Sequence, residues 1–372
     1  MDLQRRTLLA LATALPAIVS GAATTRFGRA AIDDFLRERM RAKGIPGAAT
    51  AVVKSGRELC VAGFGKASIE FGVDADKNTV FAMASSSKML AGLCAGVLTQ
   101  SGSIELDAPV RRYLADLPAR FDQVSISQLL SHTSGLGGLD RNPAFQTERN
   151  LRKGRNQFAD ERKLEFFTAE ELISYGADVP FVEPPGTRWR YNQFPYFLFG
   201  QVVKRVTGRD YDAFVEEKIF EPLGMTSTTF GDHRAVVPRR TSTNYTRQFG
   251  PLQNFPLEYS PLFWPAAGCN TSAADALRLF AAFEPDRLLS SASLERLWRP
   301  APLENGAVAD YGLGFDLSRG AGRRRVGHEG GGCCYVSWFP EEGLGVAILL
   351  NLSGSGEDGI DTALAEKVLQ SR

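Results

Sequence analysis

The chain has 372 residues, a formal net charge of +1 and 44% hydrophobic residues. This length and apolar content are enough for a sizeable core in one large domain or two. The balanced charge gives no reason to expect nucleic acid or an acidic surface as a partner. No internal repeat stands out, which argues against a solenoid or a scaffold array.

The first residues are typical of an export signal. Arg5-Arg6 is a twin-arginine pattern, and an apolar run follows from Leu8 to Val19. That run falls short of the roughly 20 residues that a membrane-spanning helix needs. We therefore predict that residues 1–23 are an export signal, that the protein is exported to the periplasm and that it has no stable membrane span. An uncleaved amphipathic start is the alternative.

The next elements are a helix and a hairpin. Apolar residues share one helical face over 31–40. Two strand-like runs follow at 48–53 and 59–64. Lys54-Ser55-Gly56-Arg57 between them has the chemistry of a tight turn, which predicts a β-hairpin.

A candidate nucleophile follows the extended run Thr79-Val80-Phe81. The pattern from Ser85 to Gln100 predicts an amphipathic helix that opens with Ser85-Ser86-Ser87-Lys88. Positions i and i+3 share a helical face, so the Ser85 hydroxyl and the Lys88 amine can meet. A buried lysine that is partly neutral can take the proton of a serine and activate it.

The long middle of the chain, 88–299, is mostly helical in pattern, and the end returns to strands. Four strand-like runs are predicted at 311–317, 323–326, 333–339 and 345–350, and a helix at 360–369. Strands at both ends with helices between them predict an α/β plus all-α fold, an antiparallel sheet flanked by helices with an inserted helical domain. The predicted divisions are 24–87 plus 305–372 for the α/β domain and 88–304 for the insertion.

The cysteines and histidines predict neither a disulfide framework nor a metal site. Five cysteines are an odd number, and the three histidines are far apart in sequence, so no disulfide framework, metal or other cofactor is expected. Most of the thiols are expected to be buried. The adjacent pair Cys333-Cys334 is nevertheless expected to line the catalytic cleft.

Two charged stretches have open interpretations. The interval 142–164 is either a solvated surface segment or a lid that draws anionic substrates. In Arg323-Arg324-Arg325, strand alternation places the first and third side chains on one face and the second on the other. Either face can contact a substrate carboxylate, although a solvent face is favoured.

Three later motifs complete the pattern. They are Ser131-His132-Thr133-Ser134-Gly135-Leu136, Pro185-Gly186-Thr187-Arg188-Trp189-Arg190-Tyr191 and Gly327-His328-Glu329-Gly330-Gly331. In this order and spacing, after Ser-x-x-Lys, the set resembles the serine β-lactamase and penicillin-binding protein superfamily. It is most similar to class C β-lactamases and their esterase and D-aminopeptidase relatives. The resemblance runs from about Gly44 to Leu352 and implies the same α/β plus all-α fold.

The resemblance also implies roles for individual residues. Ser85 matches the acylated serine, Lys88 the lysine one turn later and Tyr191 the tyrosine of the Tyr-x-Asn motif. His328 lies where the strand motif Lys-Thr-Gly or His-x-Gly begins. The backbone N–H groups of Ser85 and Gly331 match the oxyanion hole. His132 belongs to the His-Thr-Ser-Gly-Leu run and is interpreted as a structural packing residue.

Two departures from the family pattern bear on the substrate. Gln193 stands where an asparagine would meet the substrate's amide arm, and His328-Glu329-Gly330 replaces Lys-Thr-Gly. A permanent cation is thus replaced by a group expected to titrate near roughly 6.5, with an acid beside it. We expect Gln193, Glu329 and Gly330 to bind substrate. These changes favour the esterase, amidase or D-aminopeptidase branch over an efficient β-lactamase.

The sequence therefore predicts an exported serine hydrolase that forms an acyl-enzyme on a small-molecule ester, amide or peptide. A D,D-carboxypeptidase or a β-lactamase is the alternative within enzymes. A non-catalytic binding protein on the same fold is the alternative of another class, and the presence of Ser85, Lys88 and Tyr191 argues against it. The oligomeric state is left open.

Overall fold

A computed structural model of the chain describes residues 28–155, 167–231, 242–255, 259–320, 322–356 and 359–370. The predicted export signal, His233 and part of the charged interval 142–164 lie outside these residues. The helices are α1 Arg29–Lys43, α2 Lys88–Gln100, α3 Ile126–Leu130, α4 Pro143–Arg155, α5 Ala169–Asp178, α6 Phe194–Thr207, α7 Tyr211–Val215, α8 Glu221–Leu223, α9 Ala273–Leu279, α10 Ser291–Leu297 and α11 Ile360–Gln370.

The strands fall mainly in the two terminal parts of the chain. They are β1 Gly47–Lys54, β2 Arg57–Ser68, β3 Val73–Asp74, β4 Val80–Ala82, β5 Thr229–Phe230, β6 Tyr245–Thr246, β7 Gln253–Asn254, β8 Cys269–Ser272, β9 Ala301–Pro302, β10 Val308–Ala309, β11 Asp316–Gly320, β12 Arg323–Gly330, β13 Cys334–Phe339, β14 Leu344–Leu350 and β15 Leu352–Ser353.

One antiparallel sheet joins the two ends of the chain. Its strand order is β11-β12-β13-β14-β1-β2-β3, so β14 from the end pairs with β1 from the beginning. The β1–β2 hairpin turns at Ser55 and Gly56, which both have positive φ, 49° and 72°. Such a turn matches the right-handed twist of the paired strands. The predicted hairpin and antiparallel sheet are confirmed.

The sheet is buried on both faces because its strands alternate between two apolar clusters. On one face, Val346 and Ile348 of β14 pack with α1 and α11 through residues such as Ile32 and Leu364. On the other face, residues such as Leu349 pack with the large cluster that includes α2, α6 and α9. The sheet therefore separates α1 and α11 from the rest of the helices, and the predicted fold class is confirmed.

The segment 88–304 is helical but also carries short strands. Strands β5 and β8 form a small sheet with β4, and β6 and β7 form another with β15. Helix α9 of this segment contacts β1, β2 and β14. The segment therefore packs directly on the sheet. The domain boundaries of the sequence analysis stay predictions.

Two predicted elements, helix α2 and strand β11, differ from the structure. Helix α2 begins at Lys88, and Ser85 lies in a single 3-10 turn, Ala84–Ser87, before it. Ten of the thirteen residues of α2 are buried, so the helix is central and not amphipathic. Strand β11 begins at Asp316, because the preceding stretch packs against α2, where a Cβ at Gly314 would lie 2.3 Å from the Lys88 carbonyl oxygen.

The three consecutive arginines follow the predicted alternation, but Arg325 is buried and not on a solvent face. Its guanidinium pairs with Asp361 of α11 at 3.1 Å and also donates to Ser337. Arg324, on the other face, pairs with Glu295 of α10. The stretch therefore fastens β12 to its neighbouring helices.

No helix in the described part of the chain combines the length and apolar character needed to cross a bilayer. Within the same ranges, no group of three or more His, Cys, Asp or Glu side chains lies where it can share a metal ion.

Candidate active site

Ser85 lies in the 3-10 turn between β4 and α2, at the junction of the large sheet and the helical part. The turn is held by its neighbours, because Ser86 Oγ donates to the His328 carbonyl at 3.1 Å and Ser87 Oγ donates to the Ala84 carbonyl at 2.7 Å. Ala84 has φ 46°, an unusual value for a residue with a Cβ. The two neighbouring serines thus position the turn, and Ser85 alone among the three is left to face the cleft.

Lys88 meets Ser85 one turn later, as the sequence predicts. Its Nζ lies 3.3 Å from Ser85 Oγ and donates to the Ala266 carbonyl at 2.8 Å. The side chain is fully buried and lies over the rings of Tyr191 and Tyr196, 4.7 and 5.3 Å from their centroids. Burial lowers the pKa of Lys88 to about 7. Near neutral pH a large fraction of this amine is therefore uncharged and can accept a proton.

Tyr191 contacts the same hydroxyl. Its ring is 40% exposed, and its hydroxyl is hydrogen-bonded to Ser85. Burial of the hydroxyl, together with the nearby Glu329 carboxylate, raises the pKa of Tyr191 to about 12. The phenol therefore stays protonated at neutral pH. His328 does not stabilise a phenolate here, because burial keeps its imidazole neutral.

His328 is neutral and fixed by two hydrogen bonds. Its Nδ1 donates to the Glu329 carbonyl, and the Tyr311 hydroxyl donates to its Nε2 at 2.8 Å. Burial and the nearby Lys88 charge lower the pKa of His328 to about 3. The expectation that His328 titrates near 6.5 is therefore wrong, since an imidazole that is 5% exposed gains little hydration when protonated.

Tyr311 is the site residue that sequence reasoning missed. It precedes β11 in the stretch Tyr311-Gly312-Leu313-Gly314, whose glycines allow close packing on the ends of α10 and α2. Glycine at alternate positions before a strand is a weak signal, and nothing in the sequence reveals which group the hydroxyl meets. The hydrogen bond to His328 exists only because the sheet brings β12 beside this stretch.

His132 is a packing residue, as predicted. It is 1% exposed, and its Nδ1 accepts the Asn192 backbone N–H at 3.2 Å. Its ring lies against Tyr191, Tyr311 and Tyr196, with centroids 4.4, 4.8 and 5.1 Å away. Burial and the nearby Lys88 charge hold its pKa well below the usual value. The neutral ring supports Tyr191 from behind.

The end of β12 lies directly against the Ser85 turn. A Cβ at Gly330 would lie 2.0 Å from the Met83 carbonyl oxygen, and one at Gly331 would lie 3.6 Å from Ala84 Cβ. Gly331 has φ 57°, which favours glycine. The structure thus brings the predicted oxyanion pair, Ser85 and Gly331, to adjacent backbones. That their two N–H groups bind one oxyanion stays a prediction.

The predicted substrate-binding residues lie at two sides of this centre. Gln193 lines a cavity of about 390 Å³ that opens beside Tyr191 and is also bordered by Asp140 and Phe145. Asn192, its neighbour, turns inward and donates to the Leu136 carbonyl at 2.8 Å. Glu329 is half-buried on β12 and is close enough to Tyr191 to raise the pKa of its hydroxyl.

Fold and site together are those of a serine hydrolase, and a buried lysine, not a histidine, lies beside the candidate nucleophile. The profile of the Beta-lactamase family matches residues 32–370. The chain belongs to this family.

Individual relatives are distant but cover the chain. It is similar to Esterase EstB of Burkholderia gladioli, with 27% identity over 90% of this chain and 92% of that protein. Among solved structures, the octameric penicillin-binding protein homologue of Pyrococcus abyssi has a TM-score of 0.75 and 24% identity, over 92% of this chain and 78% of that one. A D-stereospecific amidohydrolase of a Streptomyces species has a TM-score of 0.72 and 24% identity, over 91% and 98%. The structural matches show a shared fold.

Proposed function

We propose that this protein is a serine hydrolase that forms an acyl-enzyme on Ser85 from small ester or amide substrates. The observation that carries the proposal is the 3.3 Å contact between Ser85 Oγ and a fully buried Lys88 whose pKa is about 7. The hydrogen bond to the Ala266 carbonyl offsets only part of the cost of desolvating this amine, and buried groups with such shifted pKa values are concentrated at functional sites. The amine supplies the base that a serine nucleophile requires.

In the acylation step, neutral Lys88 accepts the Ser85 proton while Oγ attacks the substrate carbonyl carbon. The new bond is Oγ–C, and the oxyanion is held by the N–H groups of Ser85 and Gly331. When the tetrahedral intermediate collapses, the C–O or C–N bond to the leaving group breaks. Tyr191 donates its proton to that leaving group and regains one from the Lys88 ammonium.

Deacylation uses the same groups with water as the nucleophile. Neutral Lys88, relayed by the Tyr191 hydroxyl, takes a proton from the water as the water oxygen attacks the acyl carbon. The Ser85–acyl bond breaks, and the proton returns to Oγ to restore the free enzyme. No other group need change its charge, which agrees with a neutral, doubly hydrogen-bonded His328.

We place esters and amides ahead of β-lactams because the site lacks a strand cation at the position of Lys-Thr-Gly. His328 is neutral, and Glu329 adds an acid beside Tyr191. A β-lactam carboxylate would meet no ammonium group at this position and would be repelled by the acid. The relative covering most of both chains is named an esterase, and a structural neighbour is named an amidohydrolase, which supports both substrate classes.

Covalent labelling with a fluorophosphonate tests the mechanism. We expect intact-protein mass spectrometry to show one adduct on wild type and on Ser86→Ala, and none on Ser85→Ala. Lys88→Ala should lower the acylation rate by about 10²–10⁴-fold, as for a lost general base. A wild-type protein that takes no label would favour the non-catalytic binding protein, and equal labelling of Ser85→Ala would assign the reaction to another residue.

A substrate panel tests the class. Wild type should hydrolyse p-nitrophenyl esters of short acids and simple amides faster than penicillins or cephalosporins. Penicillin turnover above that of every ester and amide would replace this proposal with a β-lactamase, and release of a terminal D-alanine as the fastest reaction would indicate a D,D-carboxypeptidase.

We further propose that the enzyme is exported to the periplasm. The support is the sequence Arg5-Arg6 followed by the apolar run Leu8–Val19 and small residues. A twin-arginine route carries folded proteins, so Lys88 would be buried beside Ser85 before export.

A further inference from the structure

A second cleft, of about 510 Å³, lies on the surface between the end of α1, the end of β2 and the β6–β7 hairpin. None of the residues around Ser85 lines it. Its volume is within the range of about 300–1,000 Å³ that is typical of ligand sites. We call this feature the basic cleft, because its charged lining residues are Arg37, Arg41, Lys66 and Arg247.

The charge of the basic cleft is of one sign. Among the described residues, no acidic side chain lines it. Lys66 pairs with Asp74 at 2.6 Å, but Arg37, Arg41 and Arg247 form no ion pair with any described acid. Arg247 lies beside the end of α1, where its Nη2 is 3.2 Å from the position that a Cβ on Gly44 would occupy. Three arginines therefore remain available to an anion from outside the protein.

The rest of the lining is apolar. Met40, Ile45, Ile69 and Leu252 are its large apolar lining residues. Basic and apolar side chains in one cleft match a ligand that joins an anionic group to hydrocarbon. A simple inorganic anion would leave these apolar residues unused.

Two exposed phenylalanines flank the basic cleft on the tips of neighbouring hairpins. Phe71, 85% exposed, lies in the turn closed by the hydrogen bond from Gly72 N to Ile69 O. Phe249, 72% exposed, lies in the turn closed by Gly250 N and Arg247 O. Both turns include a lining residue of the cleft. The two hairpins are joined by a hydrogen bond, because the hydroxyl of Tyr245 in the second hairpin accepts the Ile69 N–H at 2.8 Å.

We propose that the basic cleft and its two phenylalanines dock the protein onto a bilayer that contains anionic phospholipid. The arginines bind head-group phosphates, and Phe71 and Phe249 enter the boundary between head groups and acyl chains. Charge complementarity favours this occupant, since an anionic leaflet attracts clustered basic residues and an inserted aromatic ring anchors them. The active site does not take part in this contact.

Vesicle flotation of the full-length protein tests this proposal. Wild type should float with phosphatidylcholine vesicles that contain about one third phosphatidylglycerol and not with pure phosphatidylcholine, and binding should weaken as salt is added. Arg37→Glu with Arg247→Glu should weaken binding by at least about 30-fold, because each basic residue removed accounts for about fivefold and the two added acids repel the anionic surface further. Phe71→Ser with Phe249→Ser should weaken it on the order of 100-fold without changing the net charge.

The matched control is Arg205→Glu with Arg287→Glu, which changes the net charge equally at two exposed arginines outside the cleft. We expect this variant to bind as wild type. Circular dichroism melting checks that each variant is folded. If the charge reversals in the cleft prevent folding, the single variant Arg247→Gln takes their place. Equal losses in the control and cleft variants, or no flotation of wild type, would overturn the proposal. So would calorimetric binding of soluble glycerol phosphate without flotation, because it assigns the cleft to a free ligand.

Discussion

At the scale of single residues, burial decides which group in the site acts as the base. Lys88 has no acidic partner that restores its charge, and the surrounding rings exclude water from it. Burial favours the neutral form of both an amine and a phenol. For the amine this creates a base near neutral pH, and for Tyr191 it creates a proton donor.

The pH dependence of kcat/KM should therefore follow Lys88. The amine must be deprotonated to act, so activity is low below its pKa of about 7 and rises to a plateau above it. We expect a fall of about tenfold per pH unit on the acid limb. No second limb should arise from Tyr191 below about pH 11, because its pKa is raised to about 12. Stopped-flow ester hydrolysis across pH 5–10 measures this profile.

A variant at His328 separates the two titrating candidates. Because His328 is neutral throughout this range, His328→Gln should keep the acid limb, although its overall rate falls. Loss of the limb in His328→Gln, with a pH-independent rate, would show that the imidazole and not Lys88 controls the profile.

Tyr311→Phe should destabilise the fold chiefly through the lost hydrogen bond to His328, which at 2.8 Å is shorter than the 3.5 Å contact with the Tyr196 hydroxyl. The change leaves the buried His328 Nε2 without its donor, which is expected to lower the free energy of unfolding by about 1–3 kcal/mol. Tyr113→Phe is the matched control, since the amide that its hydroxyl accepts, Glu105 N, is exposed and can turn to water. Urea denaturation followed by tryptophan fluorescence should show a loss only for Tyr311→Phe. Equal midpoints would mean that water replaces the lost hydroxyl at His328.

At the scale of elements, strand β12 sets the distance between the Ser85 turn and the opposite wall of the site. One end of β12 is fixed through Arg325 to Asp361 of α11. The other end packs its Gly330 on the Met83 carbonyl, with no room for a side chain. The position of the sheet therefore determines, through β12, where the proposed oxyanion hole lies.

Gly330→Ala should impair catalysis more than stability. The added Cβ would lie 2.0 Å from Met83 O, so β12 must move away from the Ser85 turn. A shift of this kind at a catalytic centre can lower kcat/KM on the order of 100-fold. Gly327→Ala is the control, because its Cβ also lies 2.0 Å from a backbone oxygen, that of Val336, but farther along the strand.

The two variants are compared by ester turnover and by thermal melting. We expect similar losses of thermal stability and a large loss of turnover for Gly330→Ala alone. If Gly327→Ala lost as much turnover, general sheet distortion would explain both, and β12 would have no special role at Ser85.

At the scale of the whole molecule, the sheet and the packed helices bury every cysteine. All five are free thiols, and none is more than 2% exposed. Burial raises the pKa of Cys60 and of Cys333 to about 12. The expectation that Cys333 and Cys334 line the cleft is wrong, since both side chains are fully buried, Cys333 in the apolar cluster with α1 and α11 and Cys334 in the cluster on the other face of the sheet.

Thiol titration checks this burial. Ellman's reagent should react slowly with the native protein, without loss of ester turnover, and should count five thiols after unfolding in guanidinium. Rapid native labelling of Cys333 or Cys334 that blocks turnover would restore the cleft-lining interpretation.

The proposed export route is a property of the whole precursor. Arg5→Lys with Arg6→Lys should leave folded, uncleaved protein in the cytoplasm, because the twin-arginine pair is the element that such a route reads. Cell fractionation with an immunoblot measures this. Unchanged delivery to the periplasm would indicate a general secretory route.

The sequence by itself determined the elements that local pattern controls. The turn Lys54–Arg57, the alternation of β12 and the one-turn spacing of Ser85 and Lys88 depend on residues close together along the chain. Such local rules have the same consequence in any fold. The order of the later motifs added the family resemblance, and with it the roles expected for Tyr191 and Gly331.

Only the tertiary structure decided which of these groups are charged. The pKa of Lys88 and of His328 depends on how much water and which neighbours surround each group, and those neighbours come from distant parts of the chain. Tyr311 reached His328, Arg325 reached Asp361, and Cys333 became buried for the same reason. Desolvation and long-range contacts have no local signature, so the sequence named the catalytic groups while the packed fold set their protonation.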